Sequence, residues 1–354
     1  MCGPVGSDCP NVCEWCHNRD VNETGYSESL GRALGALADP LHEPVLLAFP
    51  VFIAFVAIEW ISARVLEARE PGGYQPRDAV TSLLMGAGSQ AFWLVGKLIG
   101  LVIYAAVWVY LAPWHLPSDA WYTWVLAIVG TDFLYYWYHR GAHRIRLVWA
   151  THQAHHSSEY YNFATALRQK WNNSGEIVAW LPLPLLGVPP WMVFTGFSIS
   201  LVYQFFVHTE RIGRLPGPVE FVFNTPSHHR VHHGSDAEYL DRNYGGILII
   251  WDRLFGTFRP ETHRPTYGLT TPVTSHNPFW LQTHEYVAIW RDLRGATSWR
   301  ERLGYAFGPP GWRPAPVPAP IPRSCAGVPE PHYGGAHGNC HQPRRPTRRG
   351  YRPT

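Results

Sequence analysis

DFLYYWYHRGAHRIRLVWATHQAHHSSEYYNFATALRQ, residues 132–169, decides how this chain is read. It holds His139 and His143, four apart, then His152, His155 and His156. On a helix, positions i, i+3 and i+4 share a face, so each group turns its imidazoles toward one point. A lone histidine is usually an ordinary surface or core residue, but five at this spacing point to metal. The pattern recurs in NTPSHHRVHHG, residues 224–234, where His229, His232 and His233 repeat the same geometry. His228 lies about 100° around the helix from His229 and cannot share its face.

Outward from these groups the chain is apolar. PVLLAFPVFIAFVAIEWI, residues 44–61, approaches the length a bilayer requires. Val80 to Leu111 reads as one tilted helix or a tight pair, since small residues such as Gly86, Gly88, Gly96 and Gly100 let helices approach closely. Trp121 to Tyr138 reads as a third span, closing in an aromatic belt immediately before His139. Glu176 to Val207 reads as a proline-rich hairpin turned at Pro189 and Pro190, which delivers the chain to His208. That arrival beside the other histidines makes His208 a further candidate ligand. Arginines in the 140–168 stretch place the histidines on the cytoplasmic side, and arginine in 62–79 but none in 113–119 puts the N-terminus outside.

The composition fits this reading. Charged residues are 16% and aromatics 14%, with 17 Trp, and a net charge of +3 gives no reason to expect a nucleic-acid partner. The opening lacks the pattern of a cleaved signal peptide. Three regions are expected: 1–44 disordered, 45–303 a membrane domain carrying the histidines, and 304–354 a disordered Pro/Gly/Arg-rich tail. Cys9, Cys13 and Cys16, with Cys2 nearby, have a spacing that suits an iron–sulfur cluster, but no alternating strand–helix pattern follows to house one. LDRNYGGILIIWDRLFGTF, residues 240–258, reads as a short amphipathic or buried helix at the membrane surface, and 279–303 as a solvated covering helix.

Eight histidines in three groups exceed what one tetrahedral ion uses, so two metals are indicated. Neutral imidazole suits zinc, copper and iron alike. A site at the ends of membrane helices receives apolar substrates, whose C–H bonds yield to dioxygen activated by iron. A zinc hydrolase wants a carboxylate beside its ligands, as in H-E-x-x-H, and none of the groups has one. A metal transporter expects ionisable residues inside several spans, whereas these gather outside them.

These three histidine groups, with helices before and between, resemble the fatty acid hydroxylase and sterol desaturase superfamily of membrane di-iron oxygenases. THQAHHSSEYYNFATALRQ, QFFVHTE and the stretch from NTPSHHRVHHG to FGTF are most similar to its alkylglycerol monooxygenase branch and bacterial relatives. The resemblance implies an all-α membrane bundle with a cytoplasmic helical cap. It implies two irons on His139, His143, His152, His155, His156, His229, His232 and His233, with His208 as an added ligand. Dioxygen as co-substrate and hydroxylation of a membrane lipid, an ether lipid among the candidates, follow from it, as does tetrahydrobiopterin as reductant. A sterol or carotenoid desaturase or hydroxylase fed by ferredoxin or cytochrome is the alternative. Glu159 and Glu210 stand near ligands and are placed to orient their rings. Asn162, Arg168 and Gln169 are candidate pocket residues. Asp132, inside a span, is expected to hold a ligand ring or an arginine, and Asp241 and Asn243 to tie the last histidine helix to the loop after it.

Overall fold

In this computed structural model residues 26–28, 30–36, 39–66 and 73–315 are described. Cys2, Cys9, Cys13, Cys16, the tail beyond 315 and most of the expected disordered opening lie outside them. Among the described residues every named element is helical, with only two isolated bridges, Phe223 to Leu248 and Gly234 to Tyr267.

Four long helices form the body: α1 (Pro44–Leu66), α2 (Pro76–Tyr110), α3 (Trp121–Arg144) and, after two short helices α6 and α7 defined below, α8 (Pro190–Val207). α2 settles the choice between one helix and a pair. Its 35 residues run unbroken, about 52 Å of helix, started by the Gln75 side chain accepting from the Asp78 amide at 2.6 Å. Its glycines serve close approach instead of a turn: a Cβ on Gly86 would sit 2.7 Å from the Leu167 carbonyl. α3 differs from expectation. It forms as a 24-residue helix, but among the described residues only Pro44–Val65, Pro76–Tyr110 and Pro190–Val207 are long and apolar enough to cross a membrane by composition. Asp132 and the run of tyrosines and tryptophans lower its apolarity, and much of its length is covered by α8.

Short helices α4 (Arg146–His152), α5 (Phe163–Ala166), α9 (Gly217–Val222), α10 (Pro226–His232) and α11 (Ile250–Leu254) cap one end, and two more, α6 (Ser174–Ala179) and α7 (Pro182–Leu185), lead away from it. The proline-rich leg before α8 is thus two short helices, α6 and α7, and its bend lies at the end opposite the histidines. There Gly187, at φ 85°, passes so close to Trp114 that a Cβ would clash with its carbonyl. The expected single helix over 279–303 is two, α12 (Pro278–Gly295) and α13 (Trp299–Phe307), broken at Ala296. The main core lies between α2, α3 and α6–α8, around Leu101, Tyr104, Ala127, Trp180, Met192 and Phe197.

Asp132 holds neither a ligand ring nor an arginine. Its carboxylate accepts from the Ile247 amide (2.6 Å), the Leu248 amide (3.1 Å) and the Trp251 indole N–H (2.8 Å). Each of these donors would otherwise be left without a partner where α3 meets the loop after Gly246, so the charge is retained for the loop it captures. Asp132→Ala orphans all three and is expected to cost about 3 kcal/mol or more, on the order of 10 °C in melting temperature. A thermal melt of the variant equal to the parent's would refute the clamp.

Candidate metal centre

The histidines converge. α3 brings His139 and His143, α4 ends in His152, a 3-10 turn carries His155 and His156, α8 ends at His208, and α10 with its cap carries His229, His232 and His233. They fall into two groups: His139, His143, His152, His156 and His232 in one, His155, His208, His229 and His233 in the other. Within each group the ligand nitrogens all lie within 4.8 Å of one another.

Their environment decides which nitrogen faces inward. His139 Nδ1 donates to the Tyr244 carbonyl (2.8 Å), His155 Nδ1 to Arg168 (3.2 Å), His208 Nδ1 to Gln204 (2.6 Å) and His232 Nδ1 to Arg242 (3.0 Å). A carbonyl can only accept, so in these four rings Nε2 carries the lone pair. His155 Nε2 and His208 Nε2 then face each other at 3.3 Å as two acceptors. His229 Nε2 lies 3.1 Å from His208 Nε2, and His152 Nε2 lies 2.9 Å from His139 Nε2 and 3.0 Å from His156 Nε2. Two imidazole nitrogens on one ion at about 2.1 Å, at octahedral to tetrahedral angles, stand roughly 3.0 to 3.4 Å apart. The Nε2 atoms of His143, His232 and His233 are buried with no hydrogen-bond partner. Facing lone pairs and orphaned nitrogens are what a cation relieves, so the donor set fits metal.

Electrostatics agree. Burial, with repulsion among neighbouring rings, holds His152, His155, His156, His229 and His233 well below the ordinary imidazole value. Burial brings His208 to about 3 and His232 to about 4. Neutral imidazole is the ligand form.

Supporting groups reach the rings through the backbone. Asp252 accepts from the Tyr244 and Gly245 amides, both at 2.8 Å, fixing the carbonyl that holds His139. Arg168 is a clamp instead of a pocket wall: fully buried, it binds Asp78 of α2 (2.9 Å), Ser157 and the Ala154 carbonyl while its own carbonyl holds His155. Asn243, at φ 54°, donates to the His228 and Arg259 carbonyls, so it does tie the histidine helix to the following loop. Asp241 pairs with Arg144 and approaches His143 Nδ1 to 3.9 Å. His228 stands outside both groups, on Glu220 at 2.9 Å.

The three other candidates sit elsewhere. Glu159 is exposed and lies against Gly268. Asn162 caps α5, accepting from the Ala164 and Thr165 amides. Glu210 pairs with Arg264 (2.8 Å) and accepts from the Tyr267 hydroxyl (2.9 Å). Sequence reasoning passed over Tyr161, whose buried ring stacks on His208 with centroids 5.6 Å apart, and Asn224, which ties the Gly245 and Gly246 carbonyls beside His229. No spacing rule marks either residue.

Residues 124–257, which contain every one of these histidines, match the family model described as Fatty acid hydroxylase. The histidine-bearing part of the chain is thus similar to that family's domain. It is similar to alkylglycerol monooxygenase of Homo sapiens, 40% identical over 270 residues, which is 75% of this chain and 59% of that protein. The Xenopus tropicalis alkylglycerol monooxygenase is 42% identical over 240 residues, 67% of this chain and 53% of that protein. Ornithine lipid hydroxylase OlsE of Rhizobium tropici is 31% identical over 167 residues, 45% of this chain and 50% of that protein. The chain thus spans a little over half the length of the alkylglycerol monooxygenases it matches. No solved structure matches it.

For these histidines the pH dependence has a definite sign. Rings whose folded pKa lies below the unfolded value of about 6.5 stabilise the fold above that pH. That stability is lost as pH falls, for His232 down to about 4, and protons displace metal over the same range. Metal content and melting temperature are therefore expected to drop together from pH 7 to pH 4. Full metal retention at pH 4.5 would contradict this.

Proposed function

We propose that the chain is a multi-pass membrane oxidoreductase that hydroxylates a lipid, an alkylglycerol ether lipid in the first instance, using dioxygen at two irons. His139, His143, His152, His156 and His232 would hold one iron; His155, His208, His229 and His233 the other. We assign the activity to residues 45–303, flanked by 1–44 and 304–354, with the histidine cap on the cytoplasmic side. Iron bound there would supply the activation of dioxygen through which an oxygen atom enters a C–H bond.

The observation that carries this reading is where a cavity leads. A cavity of about 160 Å³ lies between α1, α2 and α8, and His152, His155 and His208 line its inner end. Phe49, Phe52, Phe197, Leu201 and Phe205 line its apolar side. α1 and α2 pack against α8 more than against each other. Leu46, Phe49 and Leu83 line the cavity and are also exposed on the outer surface. The opening is therefore sideways, toward lipid, and a chain entering there is shielded from water as it reaches the histidines. Both histidine groups contribute to that inner end.

The chain's residues bind and position. The apolar walls orient the alkyl chain, the carbonyls at 168, 204, 242 and 244 hold the rings in one tautomer, and buried neutral imidazoles keep the site free of protons that would compete for ligand lone pairs. Membranes containing the iron-loaded protein, supplied with a reductant, dioxygen and 1-O-hexadecylglycerol, are expected to release hexadecanal and glycerol. His155→Ala and His232→Ala should each reduce this at least about a hundredfold, whereas His228→Asn, outside both groups, should retain it. Survival of activity in His155→Ala or His232→Ala would overturn the proposal.

A further inference from the structure

α12 is inside-out for a helix in water. Its protein-facing side carries Gln282, Glu285 and Asp292 beside Leu281 and Ile289. Gln282 accepts from the Trp171 amide at 3.2 Å and donates to the Gln169 carbonyl at 2.9 Å. Glu285 and Asp292 grip the Arg146 guanidinium at 2.7 and 2.6 Å. The outer side carries Phe279, Val287 and Trp290, 69%, 53% and 63% exposed, which fall within one helix face. α13 repeats the arrangement, with Trp299, Leu303 and Phe307 at four-residue spacing and 75%, 56% and 57% exposed. A solvated surface helix shows the opposite distribution.

Charge on this outer face has one sign. Arg291, Arg294, Arg300 and Arg302 are exposed, and the Arg302 guanidinium lies 5.0 Å from the centre of the Trp299 ring. The carboxylates of the two helices are engaged, Glu285 and Asp292 by Arg146 and Glu301 by Thr297. The face also joins the apolar exterior of the body: Phe279 packs edge-on against Trp171 at 4.9 Å, and Trp171 stacks on the exposed Phe92 of α2 at 5.3 Å.

We propose that α12 and α13 lie flat in the headgroup layer of the bilayer on the cap side, with their aromatic and aliphatic stripe in the acyl region and their arginines on anionic lipid phosphates. This extends the membrane reading of α1, α2 and α8 and is independent of the metal and the reaction. The seat bears on the centre through α12, because the Gln153 side chain donates to the Leu281 carbonyl at 2.7 Å and Arg146 opens the helix that ends in His152. Lipid contact thereby sets the height at which the cavity mouth meets the bilayer.

The test places a nitroxide at residue 287, 290 or 303 of the full chain, its six cysteines replaced by serine, in nanodiscs of phosphatidylcholine with or without phosphatidylglycerol. Reference labels go at Ile58 on α1 and at exposed Glu238. Labels at 287, 290 and 303 should collide with oxygen at least about threefold more than with a water-soluble nickel complex, as at 58, with the order reversed at 238. Arg291→Glu combined with Arg294→Glu should lower the oxygen preference at 303 in phosphatidylglycerol nanodiscs only. Nickel access at all three positions equal to that at 238 would make the face aqueous and end the proposal. Protection from both reagents would put a second protein copy there, which also ends it. Absence of oxygen preference at 58 as well would instead bring down the membrane reading itself. Three label positions on two helices keep the result decisive should one of them disturb folding, which metal content reports.

Discussion

Nitrogen lone pairs crowded into a buried space are the constraint on which the structure turns. His155 and His208, each turned Nε2-inward by a backbone carbonyl, meet at 3.3 Å as two acceptors and repel unless a cation sits between them. The fold must hold them there against that repulsion until metal is bound, and it does so with backbone carbonyls. Those carbonyls belong to residue 204 in the last turn of α8 and to residues 168, 242 and 244 in loops. Asp132 and Asp252 pin the loop at 244–251, and the Arg168–Asp78 pair pins the chain after His156 to α2. Metal affinity is thus linked to folding across most of the cap.

The same arrangement explains why so many charges survive inside an apolar bundle. Asp132, Asp252 and Arg168 are almost wholly buried, yet each is met by three or more hydrogen-bonding groups, backbone and side chain alike. Replacing such a group with a well-packed apolar residue would spare its desolvation but release the segment it captures. The buried charges hold loops in place, and the loops hold the rings.

The histidine set was legible because side-chain periodicity on helices is a local property, readable as i, i+3, i+4. Its eight box residues and His208 all reach the centre, and His228 stays out for the angular reason its position gives. The long apolar helices were legible in the same way, α3 included, although its polar and aromatic content keeps it from qualifying as a membrane span by composition. What lay beyond reading was held by the backbone or by distant partners. A carboxylate two or three residues from a ligand looked like its orienter, but Glu210 turns to Arg264 and Tyr267, and the orienting acceptor is the Gln204 carbonyl. Asp132 finds donors more than a hundred residues away. Residues 279–303 read as one covering helix, and only the structure shows that α12 turns Gln282, Glu285 and Asp292 inward while Phe279, Val287 and Trp290 face out.

The division of the histidines into two groups also fixes which of them the cavity meets. His152 belongs to the first group and faces both His139 and His156, while His155 and His208 belong to the second. All three line the cavity's inner end. Because His152 and His155 are three residues apart on one turn of chain, the boundary between the groups coincides with the floor of the cavity. The cavity therefore ends at the junction of the two groups and not beside one of them. The step from His152 to His155 is what brings both groups to that floor.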